Sequence, residues 1–301
     1  MSESSPGKDR RAFGRLLVVA VLVLALLLVG AAAVSVLSGR SLPLGLWQVS
    51  HLVRAMADRG TVTALNQGDY TNVIFLHHST GANLIAEGQV RAILTEAGYD
   101  FWDHHYNPTG LRDPSGELTG YSYRIPNDNT DPDGLARLFA QRAYPWPVNA
   151  LSGLLQHEVI VFKSCFPASQ INSDAQLEQY QAWYLAMRDV MDAHPDRVFV
   201  VVSPPPLHRA ATDPAAAVRA RAFADWLSSE AYLAGHANIF AFDLFDHLAE
   251  SDPNSPEVNM LRAAYRPDDI DSHPNQAANQ AVGPAFAKAL IEAARSYASR
   301  G

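Results

Sequence analysis

The chain has 301 residues, 48% of them hydrophobic, with 23 Lys and Arg against 31 Asp and Glu and a formal net charge of -8. That is enough apolar material for one substantial domain of roughly 200–250 residues plus something smaller. The charge is spread without a basic block or an acidic tail, which excludes nucleic acid as the partner, and the single cysteine, Cys165, excludes an intramolecular disulfide.

Residues 16–37 read LLVVAVLVLALLLVGAAAVSVL, uncharged and long enough for a transmembrane helix. Lys8, Arg10, Arg11 and Arg15 precede this run and only Arg40 lies close behind it. The asymmetry places residues 1–15 in the cytoplasm and the rest of the chain outside, anchored in the cell membrane by a single pass. A cleaved signal peptide is the competing reading, with Ala31 to Ala33 resembling an A-x-A site, but the apolar run exceeds the usual h-region and favours an uncleaved signal anchor. Residues 38–70 read as a juxtamembrane connector, in which LWQVSHLVRAMADRG forms a short amphipathic helix, on the membrane surface or against the domain.

From residue 71 to 301, short apolar runs alternate with helical patterns: NVIFLH, a helix over 84–97, VIVFKS, a helix over 175–193, VFVVVS, a helix over 215–233, NIFAFDLF and a last helix over 276–299. The alternation predicts an α/β fold, a three-layer sandwich with a central parallel sheet of about five strands. Ligands of such sheets sit beyond the C-terminal strand ends, which here carry His77, His78 and Ser79, then Lys163, Ser164 and Cys165, then Ser203, then Asp243 and Asp246. The stretch 99–146, dense in Gly, Pro, Asn and Asp, reads as a loop system whose tyrosines and Trp146 suit an ordered, substrate-facing wall.

A serine between a strand and a helix suits a nucleophile. His273 in DDIDSHPN is the better-placed base, with Asp271 and Asp269 just upstream to orient it. The plainer readings are that Ser79 caps a helix and that Ser272 or Asn275 caps another. Cys165 reads as a small buried residue. The adjacent pairs His77–His78 and His104–His105 point to opposite faces of an extended chain, so no metal site is predicted. DNTDPDG, at 128–134, lacks the closing glutamate of a calcium loop and reads as a turn into a helix.

With FLHHSTG after the first strand, DSHPN before the last helix and VVVSPPP between them, the chain resembles the SGNH or GDSL-type hydrolases from about Asn72 to its C-terminus. His77 and His78 stand where that pattern has glycine and aspartate, and Asp271 lies two residues before the histidine, a D-x-H variant resembling polysaccharide O-acetyltransferase members. The resemblance implies a flavodoxin-like SGNH hydrolase fold and a serine esterase with Ser79 as nucleophile, His273 as base and Asp271, alternatively Asp269, as the acid. It implies an oxyanion site of the Ser79 amide with Gly110, and with Ser164 or Asn107 in place of the family's missing asparagine. No cofactor is implied. The expected substrate is an acetyl or short acyl ester, with a cell-envelope glycan as a candidate carrier. The alternatives are O-acyl transfer to a polysaccharide with the same triad, or a non-catalytic module that binds glycan or lipid.

Overall fold

The computed structural model describes residues 22–30, 32–33 and 42–300. The apolar run 16–37 falls within that set only at 22–30 and 32–33, which are helical, with Leu24, Leu26 and Val29 exposed. Among the described residues no helix is long and apolar enough to cross a membrane, and the rest of the run and its basic flank lie outside the described residues.

The chain divides into Met1–Ala57 and Asp58–Gly301. The second unit therefore begins inside the stretch read as connector. Helix α1 (Leu42–Leu65) has 24 residues and outruns the short helix expected there. From Asp58 onward it belongs to the second unit: Val62 is buried, the Asn66 side chain donates to the Gln156 carbonyl at 2.6 Å, and the Gly68 N–H donates to Glu158 at 2.8 Å.

The strands are β1 (Asn72–Leu76), β2 (Asp100–His104), β3 (Leu111–Arg112), β4 (Val159–Lys163), β5 (Val198–Val202) and β6 (Ile239–Phe242). The helices after α1 are α2 (Ser79–Glu87), α3 (Val90–Glu96), α4 (Pro132–Phe139), α5 (Ala150–Leu154), α6 (Asp174–Asp192), α7 (Pro214–Leu227), α8 (Glu230–Leu233), α9 (Leu244–Leu248) and α10 (Gln276–Ala298). The strands form one sheet in the order β3-β2-β1-β4-β5-β6, parallel except where β3 pairs antiparallel with β2.

Strands β1, β4 and β5 are buried at every position, because helices cover both faces of the sheet. On one face Val73, Phe75, Val159, Val161, Val198 and Val200 pack with Leu84, Val90, Phe286 and Leu290 of α2, α3 and α10. On the other, Phe162 meets Phe139 of α4 with ring centroids 5.0 Å apart.

Four sequence expectations change. The five parallel strands expected carry a sixth, the antiparallel edge strand β3, and β2 and β3 lie inside the stretch read as loop. The strand DFWDH buries Asp103 and His104, so it shows no apolar alternation. The helix expected over 84–97 is two, α2 and α3, broken at Gly88 and at Gln89 with φ +57°. The helix over 215–233 is likewise α7 and α8, and NIFAFDLF is β6 followed by α9, which Asp243 caps through the Asp246 N–H at 3.0 Å.

Asn238, which leads into β6, is 4% exposed and turns its amide nitrogen to the carbonyls of Met191, His194 and Arg197 at 3.0, 3.2 and 3.1 Å. Asn238→Ala removes all three of these bonds, although the Met191 and His194 carbonyls keep the backbone N–H groups of His194 and Arg197. It is expected to cost about 2 kcal/mol in chemical denaturation.

Candidate active site

The order of the parallel strands reverses between β1 and β4, so the crevice of this sheet opens beyond their C-terminal ends. Ser79 stands there, at the first position of α2. No side chain caps α2, whereas Asn149, Ser173, Asp213, Asp243 and Asn275 cap α5, α6, α7, α9 and α10. The first-turn amides of α2, like those of α3, α4 and α8, thus take no side-chain cap, and the Ser79 amide stands at their head with the positive end of the helix dipole.

The second half of the site is the loop before α10. Asp268 accepts the N–H groups of Ile270 and Asp271 at 2.9 and 2.7 Å and folds the loop back. Asp271 Oδ1 then accepts both the His273 N–H at 2.9 Å and the His273 ring Nδ1–H at 2.7 Å. With Nδ1 protonated, Nε2 is free to accept, and it faces Ser79 Oγ at 2.8 Å. Ser272 accepts the His208 N–H at 2.9 Å, and the Phe166 ring stands edge-on to His273 at 5.0 Å. Asp269, the alternative acid, is exposed, and Asp271 is the carboxylate that meets the ring.

Two contacts hold the halves together. The Asn279 side chain donates to Glu87 at 2.6 Å. Gly88 at the end of α2 lies against Gly283 of α10, where a Cβ on either glycine would collide with the other's backbone. A cavity of about 420 Å³ over Ser79 and His273 is lined also by Asn83, Glu87 and Asp271. A larger cleft of about 1070 Å³, lined by Ala82, Ile85, Arg91, His105 and Arg112 among others, shares no residue with it.

Burial works to raise the pKa of Asp271, but the hydrogen bonds from the His273 amide and ring and the charge of His273 outweigh it and hold the carboxyl below its ordinary value. His273 and Asp271 keep 34% and 42% of their side chains exposed, so the pair is open to water. Asp271→Asn can keep an oxygen on the His273 N–H and ring but loses the negative charge that stabilises the imidazolium formed on proton transfer. It is expected to lower kcat for an ester about 10²–10⁴-fold with little change in melting temperature.

The other oxyanion candidates are committed elsewhere. The Gly110 N–H donates to the Tyr106 carbonyl at 2.8 Å, and its φ of +72° and close approach to the Tyr121 carbonyl explain the glycine as a turn residue. The Asn107 side chain donates to the Ile125 carbonyl at 2.8 Å and accepts from the Ile125 N–H at 2.9 Å. Ser164 is buried, with its hydroxyl 2.6 Å from that of Tyr184. Cys165 is buried, and among the described residues no three His, Cys, Asp or Glu side chains are grouped to hold a metal ion. Residues 128–134 lead into α4, which starts at Pro132.

The residues not anticipated from sequence lie behind Ser79. His77 is buried, with Nδ1 2.8 Å from the His78 carbonyl oxygen and Nε2 3.1 Å from Asp103, which in turn pairs with Arg91. A Cβ on Gly81 would strike the His77 side chain. The spacing of His77 and Gly81, one helical turn apart, was the available signal. The His78 ring stacks on Tyr106 with centroids 3.9 Å apart, and burial, then Lys163, holds its pKa down to about 3.

Comparison of the chain with protein-family models, with curated proteins and with solved structures gave no match. The functional reading therefore rests on the residues and their geometry.

Proposed function

We propose that the chain is a serine esterase of the SGNH type, anchored by residues 16–37 and facing outward, that cleaves acetyl or short acyl esters. The observation that carries the reading is the unbroken series Ser79 Oγ, His273 Nε2, His273 Nδ1 and Asp271 Oδ1, with steps of 2.8 and 2.7 Å around the ring. The parallel-strand order β2-β1-β4-β5-β6 supports it as a flavodoxin-like arrangement with the nucleophile at the switch point. The apolar run and its basic N-terminal flank support the outward placement.

In this reading the Ser79 hydroxyl gives its proton to His273 Nε2 as Oγ bonds to the ester carbonyl carbon. The carbonyl oxygen becomes an oxyanion against the Ser79 amide at the start of α2. Nε2–H then protonates the departing alkoxide and the carbon–oxygen ester bond breaks, leaving an acyl-serine. Water, giving its proton to the same nitrogen, attacks the acyl carbon and releases the acid and Ser79. A glycan hydroxyl in place of that water gives acyl transfer instead.

A fluorophosphonate probe is expected to label the full-length chain at Ser79 and to fail on His273→Ala; labelling that ignores both residues would overturn the reading. Acetate release measured against acyl transfer to an added glycan separates the two outcomes.

A further inference from the structure

Four other histidines of the domain are held toward the neutral form, three near the crevice and His157 at the opposite end of the sheet. His78, His104 and His157 are held down to about 3 and His105 to about 4, in each case chiefly by burial. Hydrogen bonding agrees where it is readable. The Tyr123 N–H donates to His104 Nε2 at 3.1 Å, so that nitrogen carries no proton. His157 sits between the Asn72 side-chain oxygen at 2.9 Å and the Tyr123 hydroxyl at 2.7 Å, the one an acceptor and the other able to donate.

His77 differs. Its Nδ1 faces the His78 carbonyl oxygen at 2.8 Å and its Nε2 faces an Asp103 carboxylate oxygen at 3.1 Å. Both partners only accept, so satisfying both requires a proton on each nitrogen. The charges around the ring permit this. Asp103 meets it from β2, Arg91 of α3 reaches the other Asp103 oxygen, and His105 lies edge-on at 5.1 Å. Arg112 of β3, paired with Asp103 in the sheet register, adds a second cation beyond the carboxylate. Burial works against the charged form of Asp103, but the bond to His77 and the charges of His77, Arg91 and Arg112 keep its pKa below the ordinary carboxylate value.

The carbonyl that His77 holds belongs to the peptide whose other end is the Ser79 N–H. A charged donor on that oxygen fixes the peptide plane, through the His78 ψ of -153°, and polarises the amide so that its N–H becomes a stronger donor. Gly81 makes room for the ring to lie under the first turn of α2.

We propose that His77 is a buried imidazolium, paired with Asp103, that acts as a positioning residue by setting and strengthening the Ser79 amide as oxyanion donor. The proposal rests on the serine-hydrolase reading above. It gives the His77–Asp103–Arg91 series a role that a purely structural ion pair lacks, since its outer end is the peptide next to the nucleophile.

The test compares the full-length wild type with Ser79→Ala, His77→Gln and Asp103→Asn, using p-nitrophenyl acetate and melting temperature. Asp103→Asn is the sharper variant, because an asparagine N–H facing Nε2 leaves the ring neutral with both hydrogen bonds in place. Expected is a fall in kcat of about 10-fold for Asp103→Asn and 10–100-fold for His77→Gln, with KM within about twofold. In ¹⁵N-histidine spectra of the wild type at pH 8, the His77 ring, assigned by its loss in His77→Gln, shows both nitrogens protonated and becomes neutral in Asp103→Asn. Unchanged kcat in both folded variants, or a neutral His77 ring in the wild type, overturns the positioning role and leaves the esterase reading standing. Wild-type turnover that does not depend on Ser79 removes both.

Discussion

Ser79→Ala is expected to abolish the proposed ester hydrolysis, with kcat/KM falling at least about 10³-fold, while the melting temperature stays within a degree or two of the wild type. The asymmetry follows from the contacts of one hydroxyl. Ser79 Oγ bonds to His273 Nε2, and no side chain caps α2, so the helix loses no cap with it. The chemistry loses the atom that attacks. His273→Ala is expected to act on the same step and, in the double variant, to add little, because nucleophile and base act as one unit. Turnover of p-nitrophenyl acetate by purified full-length variants checks this, and a Ser79→Ala chain that turns over at the wild-type rate would end the proposal.

Between pH 7.5 and pH 5 the domain is expected to lose about 4 kcal/mol of stability. His104 and His157 are both fully buried and held down to about 3 by burial. In the unfolded chain each titrates near about 6.5. Below that pH the unfolded state takes up protons that the folded state refuses, so stability falls as pH drops toward the native values and is fully present above the unfolded one. At pH 5 each histidine accounts for about 2 kcal/mol, against a total stability of about 5–15 kcal/mol. His78 and His105, held down to about 3 and about 4, act in the same direction. Denaturant midpoints across this range measure the loss. His157→Gln should start less stable at pH 7.5, since it forfeits the bonds to Asn72 and Tyr123, yet show a shallower decline. Equal stability at pH 5 and 7.5 would contradict the account.

The parts of the fold that could be read from the chain are those where one force dominates. Strands β4 and β5 announce themselves because burial on both faces demands an apolar residue at every position. Strand β2 was hidden because Asp103 and His104 are buried inside it, their polarity offset by partners far away in sequence. The break between α2 and α3 was hidden for a similar reason: the need for a glycine at 88 comes from the close approach of Gly283, on a helix far along the chain, and the left-handed Gln89 carries no glycine to mark it. In the site, Ser79 and His273 could be placed by their positions after the first strand and before the last helix. Gly110 and Asn107 could not, since their donors are spent in turns whose geometry no spacing reveals. His77 reads from sequence only as one of an adjacent pair that makes no chelate, which could not disclose the carbonyl and carboxylate it meets.

Ser79 and His273 are separated by 194 residues along the chain, and α10, which follows His273, is the last helix and packs on α2. Until the residues through His273 have been made, the serine of the proposed esterase has no base. A chain clipped before residue 273 keeps its nucleophile and all six strands yet can neither activate the one nor cover the sheet that α10 closes. Any opening of α10 that displaced the loop before it would part His273 from Ser79, so turnover of the proposed esterase would report on that edge of the fold.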